Sequence, residues 1–256
     1  MSRVFIGVGH GGQDKGAVGL ITEKHPNLIM AKACRDYLIQ RGVDVLMSRD
    51  IDENESLISK INECNSYKPD LALDCHNNAG RGNGFEIYHS IFGGTGEKLA
   101  KNIEAEIIKI GQNSRGLKTK INENGNDYFG FIRETVAPAV ICEGAFVDNP
   151  DDAKQIDTDE ECKRFGEAYA KGILKTFGIE DGGGQNDNNV ELPFCVKVTV
   201  DALNVREGAG ANYKANSVIY DRGVYTIVDT KIVDNITWGK LKSGVGWIAL
   251  LYTKKI

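Results

Sequence analysis

The first two thirds of the chain alternate short apolar runs with longer segments whose apolar residues recur at helical spacing. Residues 4–8 contain no polar side chain, as in a strand buried on both faces. Residues 27–41 carry apolar residues at helical spacing, and Gly42 ends this helix. The same pattern predicts strands at 43–47, 70–75, 85–88 and 139–142, and helices at 56–67, 97–110 and 159–177. This alternation predicts an α/β fold in which a mainly parallel, twisted sheet carries helices on both faces.

The last quarter of the chain has a different pattern, with short strands about ten residues apart and no helical stretch. Strands are predicted at 196–200, 218–219, 224–228, 238–241 and 246–250, with Gly, Asp and Asn in the turns. This spacing indicates a small all-β barrel.

Between the two patterns, residues 180–189 contain no apolar side chain and include three consecutive glycines, which is typical of a flexible linker. We therefore predict an α/β domain at 1–178, a linker at 179–191 and a β domain at 192–256.

Composition and charge narrow the possible functions. The 256 residues are 41% hydrophobic, which argues against a disordered chain, and no stretch approaches the roughly 18 apolar residues of a membrane span. The formal net charge of -5 argues against nucleic-acid binding. The charge is unevenly divided: residues 190–256 hold 9 basic and 6 acidic residues (net +3), and the remainder holds 22 and 30 (net -8). The two parts are therefore expected to have different partners.

The amino terminus and the cysteines indicate where the protein is made. Met1 to Arg3 lead directly into the first predicted strand, so we expect no signal peptide and synthesis in the cytoplasm. The 6 cysteines are widely spaced and form no C-x-x-C pair. We expect reduced, buried thiols. They are Cys34, Cys64, Cys75, Cys142, Cys162 and Cys195.

Three side chains that can bind metals or carry protons follow predicted strands. His10 follows the strand at 4–8, His76 the strand at 70–75, and Glu143 the strand at 139–142. Because the carboxyl ends of parallel strands meet at one edge of a sheet, these side chains are expected to converge there. Buried charges in such a place need an ion-pair partner or a metal, and two histidines with one carboxylate are a known ligand set of catalytic zinc.

A catalytic zinc site also needs a second carboxylate that takes a proton from water. Glu23 and His25, just before the first long helix, compete for the third ligand position, and their spacing alone does not separate them. A phosphate-binding loop at 9–19 is a rival interpretation, but the segment lacks both GxGxxG and GxxxxGK[ST]. His10 at the head of that loop favours a metal.

Five sequence blocks resemble, in the same order, the zinc-dependent N-acetylmuramoyl-L-alanine amidases of the amidase-3 family. They are GHGGQDKGA at 9–17, the helix start at 23–28, SRD at 48–50, HNNA at 76–79 and PAVICEGAFVDN at 138–149. The resemblance covers about residues 3–178. It implies that His10, Glu23 and His76 are the zinc ligands and that Glu143 is the catalytic glutamate. His25 is then expected on the surface. At residues 7–8 the chain has Gly-Val where the family often has Asp-Pro.

The implied reaction is hydrolysis of the amide bond between the lactyl group of N-acetylmuramic acid and the L-alanine of the peptidoglycan stem peptide. Zinc would activate water, and Glu143 would pass its proton to the leaving amine. Asp74, Glu86 and Glu134 lie near the blocks and could orient the histidines, although ordinary solvated or helix-capping carboxylates are favoured. For His89, a structural or surface role is favoured over contact with substrate.

Residues 194–256 resemble bacterial SH3-like domains, through VDALNVREGAG at 200–210 and VGWI at 245–248. Such domains commonly bind peptidoglycan, and a basic module suits an anionic wall. Aromatic candidates for wall contacts are Tyr213, Tyr220, Tyr225 and Trp238, although Trp238 and Trp247 are expected chiefly in the barrel core.

The resemblances together imply a cell-wall hydrolase that is similar to a bacteriophage endolysin. Its zinc amidase domain would be tethered by a linker to a wall-binding domain, and it would act on peptidoglycan after release from the cytoplasm. Two alternatives remain open at this stage: a zinc carboxypeptidase that acts on the stem peptide, and a catalytically inactive wall-binding protein.

Overall fold

The computed structural model describes residues 2–181, 192–233 and 236–256. Its contacts divide the chain into two compact units, Met1–Gly182 and Gly183–Ile256, and each has its own sheet. The predicted linker at 179–191 lies outside the described residues from 182 onward. At its start, Ile179 packs against the core of the first unit, and the Asp181 carboxylate accepts a hydrogen bond from Arg41 Nε at 2.7 Å.

The first unit is an α/β fold with one six-stranded sheet. Its strands are β1 (Arg3–Val8), β2 (Asp44–Met47), β3 (Leu71–Asn78), β4 (Phe85–His89), β5 (Ser114–Lys118) and β6 (Ala139–Phe146). The strand order is β2-β1-β3-β6-β4-β5. The first four strands in that order are parallel, whereas β4 is antiparallel to β6 and parallel to β5. The sheet is therefore rich in parallel pairs, as predicted.

Six helices accompany this sheet within residues 2–181, and they cover both of its faces. They are α1 (Lys24–Ile39), α2 (Leu57–Tyr67), α3 (Thr95–Lys109), α4 (Gly130–Glu134), α5 (Pro150–Ala153) and α6 (Asp159–Phe177). Because strand side chains alternate, Val4 and Ile6 face the large core that α1, α3 and α6 cover. Phe5 faces the smaller core with α2 and α4. We call these sides the large-core face and the small-core face.

Most predicted elements of the first unit are present, with ends that differ by a few residues. The helix predicted at 159–177 coincides with α6, which Thr158 caps by accepting from the Glu161 backbone N–H and which ends at Gly178 in a left-handed conformation. The pattern did not predict β5, α4 or α5. Strands β3 and β6 continue past their predicted ends, so His76 and Glu143 lie within strands and not after them.

The six cysteines all lie in the described ranges as free thiols. Five are buried, which agrees with the expectation of buried thiols, whereas Cys195 is half-buried. No helix in the described ranges is both long and apolar enough to span a bilayer.

The second unit is all-β in its described residues, apart from one short 3-10 turn at Leu250–Tyr252. The strands are β7 (Phe194–Val198), β8 (Leu203–Arg206), β9 (Ala215–Ile219), β10 (Val224–Val233), β11 (Ile236–Leu241), β12 (Trp247–Ala249) and β13 (Thr253–Lys255). They form an antiparallel seven-stranded sheet in the order β13-β7-β10-β11-β12-β8-β9. Of these strands, β8 and β13 were not predicted.

The aromatic residues of the second unit divide between core and surface. Trp238 and Trp247 are buried together in one apolar cluster, as expected. Tyr213 and Tyr220 are exposed, and Tyr225 is half-buried with its hydroxyl donating to Asp221 Oδ1 at 2.8 Å.

Candidate metal centre

Three segments bring His10, Glu23 and His76 together at the carboxyl edge of β1 and β3. His10 lies in the loop after β1, Glu23 immediately precedes α1, and His76 lies on β3. One candidate ligand atom from each residue lies within 4.8 Å of the others. His10 Nε2 is 3.3 Å from Glu23 Oε2, and His76 Nδ1 is 3.0 Å from Glu23 Oε1. The predicted His/Glu/His group is therefore a compact cluster.

On each histidine, the ring nitrogen that does not face Glu23 lies near a further carboxylate. His10 Nδ1 is 2.8 Å from Asp14 Oδ2, and His76 Nε2 is 3.4 Å from Asp74 Oδ2. Asp74 is buried and also accepts from Lys60 Nζ at 2.9 and 3.1 Å, so it is not the solvated carboxylate that the sequence favoured. Carboxylates in this position fix the orientation and tautomer of histidines that bind metals.

Three N–H donors anchor the buried Glu23 carboxylate. The Ala17 backbone N–H donates to Oε2 at 2.7 Å, and the Asn77 backbone N–H donates to Oε1 at 3.0 Å. The Asn27 side-chain amide donates to Oε1 at 3.2 Å and also to the Gly9 carbonyl. Glu23 is only 3% exposed, so these bonds replace the water that its charge loses on burial.

The glycines around His10 are required by close packing at the cluster. A Cβ at Gly9 would lie 2.3 Å from His76 Cε1. At Gly16, where φ is +63°, a Cβ would lie 2.5 Å from both Glu23 Oε2 and His10 Cδ2. His10 itself has φ 60°, in the left-handed region that non-glycine residues rarely adopt. The glycine-rich loop therefore serves to bring backbone close to the candidate ligands.

One buried arginine links the backbone on both sides of the cluster. Arg49 Nη2 donates to the Gly9 carbonyl at 3.2 Å and to the Lys24 carbonyl at 3.5 Å, next to His10 and Glu23 respectively. Its Nη1 donates to the Ile51 carbonyl at 2.9 Å. Sequence reasoning included Arg49 only in a family block, and its structural role is to hold these two segments together.

The electrostatics of the cluster favour a cation. Burial alone would lower the pKa of His76, but the charge of Asp74 and hydrogen bonds with Asp74 and Glu23 raise that pKa to about 10. The hydrogen bond with Glu23 raises the pKa of His10. Burial opposes ionisation of Glu23, yet hydrogen bonds with His10 and His76 hold its pKa well below the usual range.

The field that draws protons to these imidazoles would also attract a divalent cation. Two imidazole nitrogens and one carboxylate oxygen are a donor set that zinc accepts while it keeps an open position. The residues of the cluster therefore fit a catalytic zinc ion.

Glu143 lies beside the cluster on the neighbouring strand. In the sheet it is paired with His76 of β3 on one side and with Glu86 of β4 on the other. Burial raises the pKa of Glu143 to about 7, against the charge of His76, which lowers it. At neutral pH such a carboxyl group can both accept and release a proton, which is what a general acid–base must do.

The other two histidines lie away from the cluster. His25 is exposed and its Nε2 is 3.1 Å from Asp159 Oδ1, which agrees with its expected surface position. His89 is buried, and its Nδ1 is 2.9 Å from the Ser90 carbonyl. Because β4 is antiparallel to β6, His89 pairs with Val140 near the start of β6, three residues before Glu143 and away from the carboxyl edge. The favoured structural role of His89 agrees with this position.

The remaining predicted carboxylates differ in burial. Glu134 is exposed and paired with Arg133, as favoured from the sequence. Glu86 is buried and accepts from Arg115 Nε at 2.7 Å and from the Asn78 amide at 3.1 Å, so the solvated interpretation was wrong for it.

Sequence reasoning missed several residues that support the cluster. Asp14 and Asn27 lie inside the family blocks at 9–17 and 23–28 but were given no role, and only Asn27, one helical turn after Glu23, carried a usable signal. Lys60 carried none, because a lysine in an amphipathic helix ordinarily points to solvent.

Comparison with known proteins gives consistent matches. Residues 4–175 match the Amidase_3 family model, described as N-acetylmuramoyl-L-alanine amidase. The N-acetylmuramoyl-L-alanine amidase CwlM of Bacillus licheniformis is 33% identical over 210 residues, which cover 79% of each chain. The endolysin of Bacillus phage SPP1 is 32% identical over 261 residues, which cover 94% of this chain and 93% of the endolysin. This chain also resembles the solved structure of N-acetylmuramoyl-L-alanine amidase AmiC2 of Nostoc punctiforme, with 26% sequence identity and a TM-score of 0.63. The match covers 69% of this chain and 97% of the AmiC2 chain.

Proposed function

This chain belongs to the N-acetylmuramoyl-L-alanine amidase family, and we propose that it is a zinc-dependent member in which His10, Glu23 and His76 hold the metal. It is a peptidoglycan amidase, which hydrolyses the bond between the lactyl group of N-acetylmuramic acid and the stem peptide. The observation that carries the zinc proposal is the convergence of two imidazoles and one buried carboxylate within 4.8 Å. The zinc proposal is also supported by Asp14 and Asp74, whose carboxylates lie near the ring nitrogens of His10 and His76 that do not face Glu23.

When bound, a zinc ion would lower the pKa of a water molecule and polarise the scissile carbonyl. Glu143, next to His76 in the sheet, would accept a proton from the attacking water and deliver it to the leaving nitrogen. The carbon–oxygen bond forms and the carbon–nitrogen bond breaks, which leaves a lactyl carboxylate and the free amine of L-alanine. Asp14 and Asp74 would keep both imidazoles oriented throughout, while Glu23 stays anchored by its N–H donors.

Digestion of purified bacterial cell walls tests this function. We expect new amino-terminal alanine without new reducing sugars, and no release of D-alanine. Treatment with a metal chelator should abolish the release, and added zinc should restore it. Release of D-alanine would indicate a carboxypeptidase, and the absence of any product from the zinc-loaded protein would indicate an inactive wall-binding protein.

We also propose that the protein serves as an endolysin and that residues 192–256 form an SH3-like, wall-binding domain. The similarity to the phage SPP1 endolysin over most of both chains supports the first part. The all-β fold, the net charge of +3 over residues 190–256 and the exposed Tyr213 and Tyr220 support the second. Attachment to an insoluble polymer through this domain would raise the local concentration of the catalytic domain at its substrate. Sedimentation of the full chain with intact walls, before any digestion, tests wall binding.

A further inference from the structure

A row of charged side chains extends from the metal centre across three further strands. Glu143 of β6 is paired with His76 on one side and Glu86 of β4 on the other. Arg115 of β5 continues the row, since its Nε donates to Glu86 Oε1 at 2.7 Å. Lys118 Nζ, on the same strand, is 4.0 Å from that oxygen. Strand β5 is the edge of the sheet, so the row ends at an open side.

The two cations at the end of this row share a single carboxylate. Glu86 is buried, whereas the side chains of Arg115 and Lys118 are 41% and 35% exposed. Glu86 engages Arg115 through Nε, and no described residue accepts a hydrogen bond from either terminal nitrogen of the guanidinium. The Phe146 ring lies 5.3 Å from the Arg115 guanidinium. The structure thus holds an excess positive charge, with free donors, in a fixed place.

The distances suit a substrate that starts at Glu143. Adjacent strands are about 4.8 Å apart, so β5 lies roughly 10 Å from β6. The leaving nitrogen must come within hydrogen-bond distance of Glu143, and a peptide extends from there by about 3.3–3.6 Å a residue. A stem peptide that runs along this row would place a carboxylate on its second residue within reach of the Arg115 side chain. A planar guanidinium with free amino groups is the side chain best suited to bind it.

We propose that Arg115, assisted by Lys118, binds a free carboxylate of the stem peptide and makes the enzyme prefer acidic stems to amidated ones. Glu86 is a positioning residue, because it holds Arg115 and has no contact with substrate in this arrangement. The proposal rests on the amidase function and assigns a specificity subsite to it.

The test uses two soluble muramoyl tetrapeptides that differ only in whether the second stem residue carries a free α-carboxylate or its amide. The full-length, zinc-loaded wild-type protein should cleave the acid with a kcat/KM about tenfold higher or more, since hydrogen bonds to charged groups contribute about 1.5–3 kcal/mol. Arg115→Gln should bring the ratio of the two kcat/KM values toward one, mainly through KM for the acid. Lys118→Gln should lower the ratio less. Lys109→Gln, which removes a surface lysine paired with Glu106 on α3, is the matched control and should leave the ratio unchanged.

Several outcomes would overturn the subsite. An equal loss on both substrates in Arg115→Gln would mean that the ion pair with Glu86 has a structural role only. Equal cleavage of both substrates by the wild type would also overturn it. Arg115→Lys, which keeps the charge, should restore part of the preference. Failure of the wild type to cleave the lactyl amide of either substrate would instead contradict the amidase function. If Arg115→Gln does not fold, the ratio of kcat/KM values for the acid and the amide, measured on the wild type and on Lys118→Gln, still tests the subsite.

Discussion

The two faces of the six-stranded sheet are built from the same strands but differ in chemistry. On the large-core face, Leu71, Leu73 and Cys75 of β3 lie in one apolar cluster with α1, α3 and α6. On the small-core face the same strand begins with Ala72 in the apolar cluster and then presents Asp74 and His76. Strand β6 repeats the change on that face, from Ile141 to Glu143. The proposed chemistry therefore lies where the smaller core ends.

The difference between the two faces shows how the fold holds buried charged side chains in defined positions. Burying a charge is costly unless a partner compensates for it, and Asp74 has two partners, Lys60 and His76. The polar network can be placed accurately because the other face of the same strands packs against helices mainly through apolar side chains. We expect substitutions on the two faces to separate catalysis from stability.

The largest expected effect is that of Glu143→Gln on the small-core face. Removal of a general acid–base should lower kcat by about 10²–10⁴-fold, while the zinc content and the thermal midpoint change little. The release of amino-terminal alanine from walls measures the rate. Glu134→Gln, at an exposed carboxylate of the same unit, is the control and should keep full activity. A Glu143→Gln protein that digests walls at the wild-type rate would remove Glu143 from the mechanism.

On the large-core face, Phe165→Ala should lower stability and leave catalysis unchanged. Phe165 of α6 is 1% exposed, so truncation leaves a cavity and should lower the free energy of unfolding by about 3–5 kcal/mol. Its kcat should stay unchanged at temperatures where the protein is folded, as denaturant titration and wall digestion can show. Ile58→Ala, on the exposed side of α2, should alter neither quantity. A fall in kcat for folded Phe165→Ala would break the proposed separation of the two faces.

The smallest of the three expected effects is a loss of zinc affinity in Gly16→Ala, next to the candidate ligands. Gly16→Ala places a Cβ against Glu23 and His10 and should weaken zinc binding by about 10–100-fold, as misplacement of ligand supports does. Gly42→Ala is a matched control, because φ there is +75° and nothing lies within 4 Å of the added Cβ. Competition with a chromophoric chelator measures the affinity. Equal weakening in both variants would indicate general backbone strain and not contact with the ligands.

The sequence was sufficient to predict the carboxyl edge of the parallel strands, because apolar runs buried on both faces are easy to recognise. His10, His76 and Glu143 were expected together for that reason, and they lie on or just after β1, β3 and β6. The choice between Glu23 and His25 needed the family resemblance, since both residues border α1. Which of the two turns inward depends on α1 packing that spacing does not encode.

Strand direction and buried ion pairs could not be predicted. The five residues of β4 alternate in the same way whether the strand is parallel or antiparallel, so the position of His89 was open. Strand β5 was missed because Leu117 is its only large apolar residue. The Lys60–Asp74 pair forms only when α2 packs on β3, and neither segment shows it alone.

The buried thiols of the first unit are expected to make that unit insensitive to the redox state of its surroundings. Burial raises the pKa of Cys34, Cys75 and Cys142 far above the usual thiol value, so the thiolate that oxidants attack is essentially absent. No disulfide contributes to stability, since all the cysteines are free. We therefore expect the packed catalytic unit to stay folded in reducing and in oxidising surroundings, without a covalent rearrangement of its cysteines.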